Sequence, residues 1–323
     1  MTQSNTFKNC PVLVTGAAGC IGAWTVKLLF EMGAVPVVFD LTENRQRLEL
    51  IMDDCESVTW ELGDITDFDR LQEVAEKHHI QAIIHLAALQ VPFCKADPVG
   101  STKINVLGST HILELARQRG ISRLSYASSI AAQAMEDNEW LATLYGAHKV
   151  CTEQMAAVYW QDWGIPSVGI RPAIIYGPGR DQGMSSAPTI AMLAASVGET
   201  YKIPFSGAIS YVHVEDAALR FISAAAKSYK GAYVFDLDGT PAAIEDVISL
   251  IKSQRSDAKI TYTGDAMPFP ADADNGKLNQ FLEISGCRPI AQGIADTMAV
   301  FDQARERGID LHQLLTKTIR RNA

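Results

Sequence analysis

The chain has 323 residues, of which 47% are hydrophobic and 20% are charged, and its formal net charge at pH 7 is −9. This composition is typical of a globular protein and argues against a disordered or fibrous chain, and the length suits one large domain with a smaller one. Because the net negative charge repels phosphate, we expect no nucleic-acid partner.

The cysteines and the hydrophobic runs indicate the cellular compartment of the protein. The six cysteines are scattered, with no Cys-x-x-Cys pair and no histidine at ligand spacing, so we expect reduced thiols and no metal site. The polar N-terminus lacks an apolar stretch of signal-peptide length, and no run reaches the ~20 apolar residues that a membrane helix needs. The sequence therefore predicts a cytoplasmic protein with no membrane partner.

The first half of the chain alternates short apolar runs with amphipathic segments. Strands are predicted at 12–15, 35–39, 58–61, 82–86, 123–128 and 167–171, and helices at 21–32, 43–53, 67–78, 100–119 and 145–163. Apolar runs without alternation fit strands that are buried on both faces of a parallel sheet. The repetition of strand and helix therefore predicts an α/β fold with a doubly wound parallel sheet of Rossmann type.

Beyond residue 173 this alternation stops. The 180–211 segment is predicted to be irregular apart from a helix near 188–197, and a helix at 214–227 and a strand at 232–236 lead back to the sheet. Helices near 242–253 and 290–307 follow. We therefore assign residues 1–173 and 212–240 to the Rossmann domain, and residues 174–211 and 241–323 to a smaller lobe.

A glycine-rich turn joins the first predicted strand to the first predicted helix. Its glycines provide a tight turn, room for a pyrophosphate against the backbone, and close packing of the helix on the strand. The pyrophosphate would lie at the helix N-terminus, where free N–H groups favour negative charge. This position in a strand–turn–helix unit predicts dinucleotide binding. The residues expected to hold the cofactor here are Gly16, Ala18, Gly19, Cys20, Ile21 and Gly22.

Asp40 lies at the end of the second predicted strand, 18 residues after Gly22. A carboxylate there can accept hydrogen bonds from both ribose hydroxyls and would repel a 2′-phosphate. A cap on the following helix is the alternative role for this side chain. Arg45 and Arg47 could bind a phosphate, but they lie further into the predicted helix. The position of Asp40 therefore favours NAD over NADP.

Tyr145 and Lys149 are four residues apart at the start of a predicted helix and therefore share one of its faces. A nearby ammonium stabilises a phenolate, so we expect Lys149 to lower the pKa of Tyr145 and to make it a usable base. Ser128 and Ser129 close the fifth predicted strand, at the sheet edge where ligands bind. A hydroxyl there could hydrogen-bond the reacting oxygen.

Further motifs accompany these residues along most of the chain. They are Thr15-Gly16-x-x-Gly19-x-x-Gly22, Asp64-Ile65, His85-Leu86-Ala87-Ala88, Asn105-Val106-x-Gly108-Ser109, Ser128-Ser129, Tyr145-x-x-x-Lys149, Arg171-Pro172-x-x-x-Tyr176-Gly177-Pro178 and Tyr211-Val212-His213-Val214-x-Asp216. In these motifs the chain resembles the extended short-chain dehydrogenases/reductases of the NAD-dependent epimerase/dehydratase family. The resemblance implies that Tyr145 is the acid/base, that Lys149 bridges it to the nicotinamide ribose, and that Ser129 orients the substrate oxygen, with Ser128 as the alternative.

The resemblance also implies further cofactor contacts and an assembly. Asp64 and Ile65 would hold the adenine, and Ala87 and Ala88 would line the path of the dinucleotide. Asn105 would bond to the backbone near the site or pack its own helix. The remaining residues of the expected cofactor set are Leu86, Asn105 and Pro172. In the family, helices corresponding to 100–119 and 145–163 pair across a twofold axis, so we expect a homodimer.

The substrate is predicted to be a small hydroxy or keto compound such as a sugar, sugar acid or polyol. Nucleotide-sugar enzymes of the family grip the diphosphate with an arginine two residues before the Tyr of Tyr-x-His-Val, where this chain has Ile209. An aliphatic side chain cannot replace charge-assisted hydrogen bonds. The chain is therefore predicted to be an NAD-dependent dehydrogenase, with a nucleotide-sugar epimerase or dehydratase as the alternative and a non-catalytic NAD-binding protein as the least favoured reading.

The predicted substrate pocket is small and largely apolar, with a few polar side chains. Arg180 could bind a carboxylate there, although a loop arginine is more often solvated. The residues expected to contact the substrate are Gln90, Ser128, Ser129, Tyr145, Ala173, Arg180, Ser185 and Ser186.

Overall fold

A computed structural model describes residues 6–133, 142–183, 185–267 and 276–322. Within these residues the strands are β1 (Pro11–Thr15), β2 (Val35–Asp40), β3 (Thr59–Leu62), β4 (Ala82–His85), β5 (Leu124–Ala127), β6 (Ser167–Pro172), β7 (Ile174–Tyr176), β8 (Tyr201–Ile203), β9 (Ala208–His213), β10 (Ala232–Leu237), β11 (Thr240–Ala243) and β12 (Ile260–Tyr262). Seven of them form one sheet in the order β10-β6-β5-β4-β1-β2-β3, and each neighbouring pair is parallel.

The large sheet is buried on both faces because its central strands are apolar at successive positions. On β1, Val12 and Val14 pack into one hydrophobic cluster, whereas Leu13 between them packs into the other. On β4, Ile84 and Ile83 divide between the same two clusters. Successive side chains of a strand point to opposite faces, so unbroken apolar runs suit a sheet covered on both sides. The predicted doubly wound parallel sheet is confirmed.

Helices cover both faces of this sheet and also build the smaller lobe. They are α1 (Cys20–Glu31), α2 (Gln46–Ile51), α3 (Phe68–Lys77), α4 (Val91–Ala96), α5 (Pro98–Thr102), α6 (Gly108–Arg119), α7 (Leu144–Trp163), α8 (Ala187–Ser196), α9 (Val214–Ala224), α10 (Ile244–Gln254), α11 (Gly276–Leu282), α12 (Ile290–Glu306) and α13 (Leu311–Asn322). A π-helical turn, Lys103–Leu107, joins α5 to α6, and a 3₁₀ turn, Ile130–Ala132, follows β5. Helices α1 and α9 pack together, as do α6 and α7. None of the described helices combines the length and apolar character that a membrane crossing requires.

The smaller lobe contains two further sheets. One has the strand order β11-β9-β7 and the other pairs β12 with β8. The prediction that 180–211 is irregular outside its helix was therefore wrong at β8 and at the start of β9. These strands are three and six residues long and carry too short an apolar run to be distinguished from a loop. The division into domains stays a prediction, and β9 crosses the boundary set at residue 211.

Candidate active site

A cavity of about 570 Å³ runs along the carboxyl ends of the parallel strands. This is the edge at which open α/β sheets bind ligands, and the volume lies in the usual range for a ligand site. The predicted site residues that line it are Gly16, Ala18, Gly19, Cys20, Ile21, Gly22, Asp40, Asp64, Ile65, Leu86, Ala87, Ala88, Gln90, Ser128, Ser129, Tyr145, Lys149, Pro172, Ala173, Arg180 and Ser185. Asn105 and Ser186 do not line the cavity.

Two glycines of the glycine-rich turn leave no space for a side chain. Gly16 has φ +70°, and a Cβ atom there would lie 2.7 Å from the Cα of Ala87. A Cβ atom on Gly22 would overlap the carbonyl oxygen of Gly16. Helix α1 begins at Cys20 with no side chain capping its N-terminus. The turn therefore presents open backbone N–H groups to the cavity and fits a pyrophosphate.

Asp40 stands beside this turn at the end of β2. Its Oδ2 accepts a hydrogen bond from the Ala18 N–H at 2.9 Å, and its Oδ1 accepts one from the Leu41 N–H at 2.8 Å. Burial raises the pKa of the carboxyl, and these two hydrogen bonds oppose the shift. The carboxylate is thus held at the cavity wall by backbone donors, in the position expected of a ribose ligand.

The two arginines after β2 already have partners in the protein. Arg45 lies over the Trp60 ring, 5.0 Å from its centroid, and donates to backbone carbonyls. Arg47 lines the cavity, donates to the Ala18 carbonyl and pairs with Asp181 at 2.5 Å. Arg47 therefore reaches the cavity although it was expected to lie further into the predicted helix.

Tyr145 and Lys149 lie on the first turns of α7, where the Thr143 side chain caps the helix by accepting from the Gly146 N–H at 3.0 Å. The Nζ of Lys149 donates to the Ala127 carbonyl at 2.6 Å and lies 5.5 Å from the centroid of the Tyr145 ring. Burial lowers the pKa of Lys149 to about 8. The tyrosine, the lysine and the end of β5 are therefore brought together.

The expectation that Lys149 lowers the pKa of Tyr145 was wrong. Burial raises the pKa of Tyr145 to about 12, and the groups that oppose this shift are a hydrogen bond from Ser129 and the charge of Arg180. The ammonium of Lys149 donates to the Ala127 carbonyl and is not among the groups that shift the pKa of the phenol.

The two adjacent serines after β5 face different surroundings. Ser129 hydrogen-bonds the Tyr145 hydroxyl, and its own Oγ accepts from the Ala131 N–H at 3.2 Å. Ser128 is 2% exposed and donates to Glu153, which pairs with Arg171 at 2.6 Å. Only Ser129 has its hydroxyl directed at the tyrosine. Glu153 was missed, although its position one helical turn after Lys149 places both on the same face.

Asn105 was placed in the cofactor set and was expected to bond to the backbone near the site or to pack its own helix, and the backbone contact is present. Ser186 was predicted to contact the substrate and instead binds the protein itself. Asn105 accepts from the Leu89 N–H at 2.7 Å and donates to the Leu89 carbonyl at 2.9 Å, so it fixes the segment that follows β4. Ser186 donates to the Gly183 carbonyl at 2.8 Å at the start of α8. Both side chains are buried behind the cavity wall.

Three of the polar side chains predicted for the substrate pocket line the cavity. Arg180 donates from Nη2 to the Ser185 hydroxyl at 3.2 Å, and Gln90 lines the wall beside it. Ala173, which follows β6, also lines the cavity. Within the described residues, no group of three or more His, Cys, Asp or Glu side chains could hold a metal ion.

Comparison with known proteins shows which family the chain resembles. The family model described as "NAD dependent epimerase/dehydratase family" matches residues 12–234. A UDP-glucose 4-epimerase of Rhizobium leguminosarum bv. trifolii is 37% identical over 172 residues, which are 50% of this chain and 50% of that protein. The chain therefore spans about half of the length of this relative.

Two solved structures share the fold. The UDP-glucose 4-epimerase from Brucella ovis in complex with NAD is 24% identical, with a TM-score of 0.74 over 90% of this chain and 98% of that one. The L-threonine dehydrogenase from Clostridium difficile is 22% identical, with a TM-score of 0.75 over 94% and 100%. At these identities the likeness shows the fold alone.

Proposed function

The chain belongs to the NAD dependent epimerase/dehydratase family, and we propose that within it the protein is a dehydrogenase of the Ser-Tyr-Lys type. It would transfer a hydride between NAD and a small hydroxy or keto compound such as a sugar, sugar acid or polyol. The observation that carries this proposal is that Ser129, Tyr145 and Lys149 lie close together in the cavity that the glycine-rich turn also lines. NAD itself is the predicted cofactor, and family membership confirms it.

Tyr145 is the residue that moves the proton. Because burial raises its pKa to about 12, the hydroxyl is protonated at neutral pH and can donate to a carbonyl oxygen that is being reduced. In the reverse direction the phenolate accepts the proton of the substrate hydroxyl. Ser129 orients the reacting oxygen beside it, and NAD, when bound, supplies or accepts the hydride.

The cofactor would lie along the wall that starts at the glycine-rich turn. Its pyrophosphate fits the open N–H groups at the start of α1, and its adenosine ribose fits the carboxylate of Asp40. Asp64 and Ile65 would contact the adenine, and Lys149 would bind the nicotinamide ribose. All of these residues line the cavity.

A nucleotide-sugar epimerase or dehydratase is the second candidate, and the curated relatives of that activity favour it. The contacts of this chain favour the dehydrogenase. Ile209 lies on β9, 0% exposed in the hydrophobic core, where the nucleotide-sugar enzymes would carry a diphosphate-binding arginine. A buried aliphatic side chain offers nothing to a diphosphate.

A screen for net NADH formation tests the proposal. The protein is mixed with NAD and a series of aldoses, sugar acids and polyols, and the characteristic near-ultraviolet absorbance of NADH is followed. We expect NADH in stoichiometric amounts from at least one of them, with none from UDP-glucose. Conversion of UDP-glucose to its epimer with no net NADH would overturn the dehydrogenase and establish the second candidate.

A cytoplasmic location is part of the same proposal. All six cysteines are free thiols, and three of them are buried. Such thiols are typical of a reducing compartment.

A further inference from the structure

Arg180 is a partly buried cation whose hydrogen-bond donors are not all used by the protein. Its guanidinium lies in the cavity wall close enough to Tyr145 to lower the pKa of the phenol. Among the described residues its Nε has no hydrogen-bond partner although it is shielded from solvent, and Nη2 donates only to Ser185. Burial lowers the pKa of the guanidinium itself. A guanidinium nitrogen that is shielded from solvent and has no partner is costly, so its retention points to a ligand.

The acidic neighbour of Arg180 is committed to other cations. Asp181 pairs with Arg47 at 2.5 Å through Oδ1 and with Arg321 at 3.2 Å through Oδ2. Two guanidinium groups therefore share this carboxylate, and it makes no ion pair with Arg180 among the described contacts. An anion that enters the cavity would meet a guanidinium with donors to spare.

The loop that carries Arg180 is held from two sides. From α2, the Nε of Arg47 donates to the Gly179 carbonyl at 3.0 Å. From the end of α13, Asn322 donates to the Asp181 carbonyl at 2.8 Å. These contacts fix the backbone on both sides of Arg180, so a ligand would bind to a guanidinium that is already in place.

From this arrangement we propose that Arg180, with Ser185 and Gln90, binds a carboxylate of the substrate, so that the preferred substrates are small hydroxy acids. A Cβ atom added at Gly183 would lie 3.1 Å from the Gln90 Oε1 and 3.2 Å from the Arg180 Nη2, so the two polar side chains border the same spot. A planar guanidinium matches a carboxylate through paired hydrogen bonds, and the neighbouring hydroxyl and amide can supply further ones.

This inference rests on the proposed dehydrogenase and narrows its substrate class. A carboxylate on Arg180 would place the adjacent carbons of the substrate near Tyr145, which shares the cavity and feels the charge of Arg180. The pyrophosphate of the cofactor is the competing anion, since Arg180 also lies near Cys20 at the start of α1. The helix N-terminus already provides a place for that group.

The test measures binding rather than turnover. Calorimetry of the protein–NADH complex compares acids with alcohols of the same carbon chain: glycerate with glycerol, threonate with threitol, and gluconate with glucitol. We expect at least one acid to bind about ten times more tightly than its alcohol. Arg180→Gln should abolish this preference while NADH affinity changes less than about threefold. Arg180→Lys should restore part of it, because charge remains but the planar donor pair is lost.

The control is Arg255→Gln, which removes an arginine paired with Asp302 on the surface of the lobe and should leave both affinities unchanged. The proposal is overturned if no acid binds better than its alcohol, or if the preference survives Arg180→Gln. It is also overturned if Arg180→Gln weakens NADH binding about tenfold or more, which would assign the arginine to the pyrophosphate. Failure to form NADH from any compound would instead contradict the dehydrogenase and leave the acid preference measurable.

Discussion

Lys149 is an ammonium group that the folded protein buries near its active site. It is 4% exposed, and burial lowers its pKa to about 8, compared with about 10.4 in an unfolded chain. Below pH 8 both states carry the proton, so the folded state bears the full cost of the buried charge. Between pH 8 and about 10.4 the unfolded state binds more protons, so the stability of the protein rises with pH. Above about pH 10.4 Lys149 is neutral in both states, so burying it no longer lowers the stability of the protein.

We therefore predict that Lys149→Met stabilises the protein at pH 7 by about 2 kcal/mol, since a pKa unit corresponds to about 1.4 kcal/mol and one hydrogen bond is lost. Most of this gain should vanish at pH 10. Urea unfolding of both proteins at the two pH values measures it. Lys252→Met, at an exposed site on α10, is the control and should show no such pH dependence. If Lys149→Met were less stable than the unmodified protein at pH 7, the claim that the buried charge of Lys149 destabilises the folded state would be contradicted.

Asp40 is expected to determine the preference for NAD over NADP. Its carboxylate would accept hydrogen bonds from the ribose and repel a 2′-phosphate, so the unmodified protein should prefer NAD to NADP. In Asp40→Ala that preference, expressed as a ratio of kcat/KM values, should fall by about tenfold or more. Asp257→Ala, an exposed position, serves as the control. Equal kcat/KM values for both cofactors in the unmodified protein would refute the prediction.

Single residues were predictable where a motif fixes both the residue type and the place on an element. The glycines and Asp40 belong to such a strand–turn–helix unit, and Tyr145 and Lys149 belong to one helix face. Ser128 and Ser129 could not be separated from the sequence, because their surroundings depend on Glu153 of another element. The partners of Arg180 are likewise tertiary, since no local spacing shows that Asp181 is occupied by Arg47.

At the scale of elements, the strands of the parallel sheet were predictable because their apolar runs are continuous. The short strands β7, β8, β11 and β12, the strand β9 and the helices α4, α11 and α13 were not. Helix α4 has six residues and α11 has seven, which is too short for a periodic pattern. The π-helical turn after α5 was hidden inside the helix predicted at 100–119, since its residues fit an α-helix equally well.

The first turn of α1 packs closely against the glycine-rich turn, so a larger side chain at Gly22 should disturb both. A Cβ atom on Gly22 would overlap the Gly16 carbonyl oxygen, so Gly22→Ala must push the helix away from the turn. We expect NAD affinity to fall by about tenfold or more and stability to fall by about 1–3 kcal/mol. Calorimetric NAD titration and urea unfolding measure the two effects. Gly286→Ala is the control, because a Cβ atom there meets nothing within 4 Å. Unchanged NAD affinity in Gly22→Ala would contradict the proposed pyrophosphate site.

For the whole molecule, the predicted homodimer has a candidate surface. Exposed apolar side chains occur beside α6 and on α7, where Leu107 is 41%, Val158 is 46% and Trp163 is 50% exposed. Such residues on two neighbouring helices suit a twofold contact. Light scattering at micromolar concentration should give a dimer mass, and Val158→Asp should give a monomer. Ile319→Asp on α13 is the matched control and should remain dimeric. A monomeric unmodified protein would refute the assembly.

Proton transfer at Tyr145 is the central step of the proposed reaction. Tyr145→Phe removes one oxygen and leaves the ring in place, so the glycine-rich turn and Asp40 are untouched. The most direct test is single-turnover NADH formation with an active hydroxy substrate from the screen, compared between the two proteins from about pH 6 to about pH 10. We predict that Tyr145→Phe slows the step by about 10² to 10⁴-fold with unchanged NAD affinity. Because the pKa of Tyr145 is raised to about 12, the rate of the unmodified protein should climb with pH as the phenolate fraction grows, and the variant should lose that climb. A Tyr145→Phe protein that binds NAD and reacts at a near-normal rate with the same pH profile would contradict the mechanism.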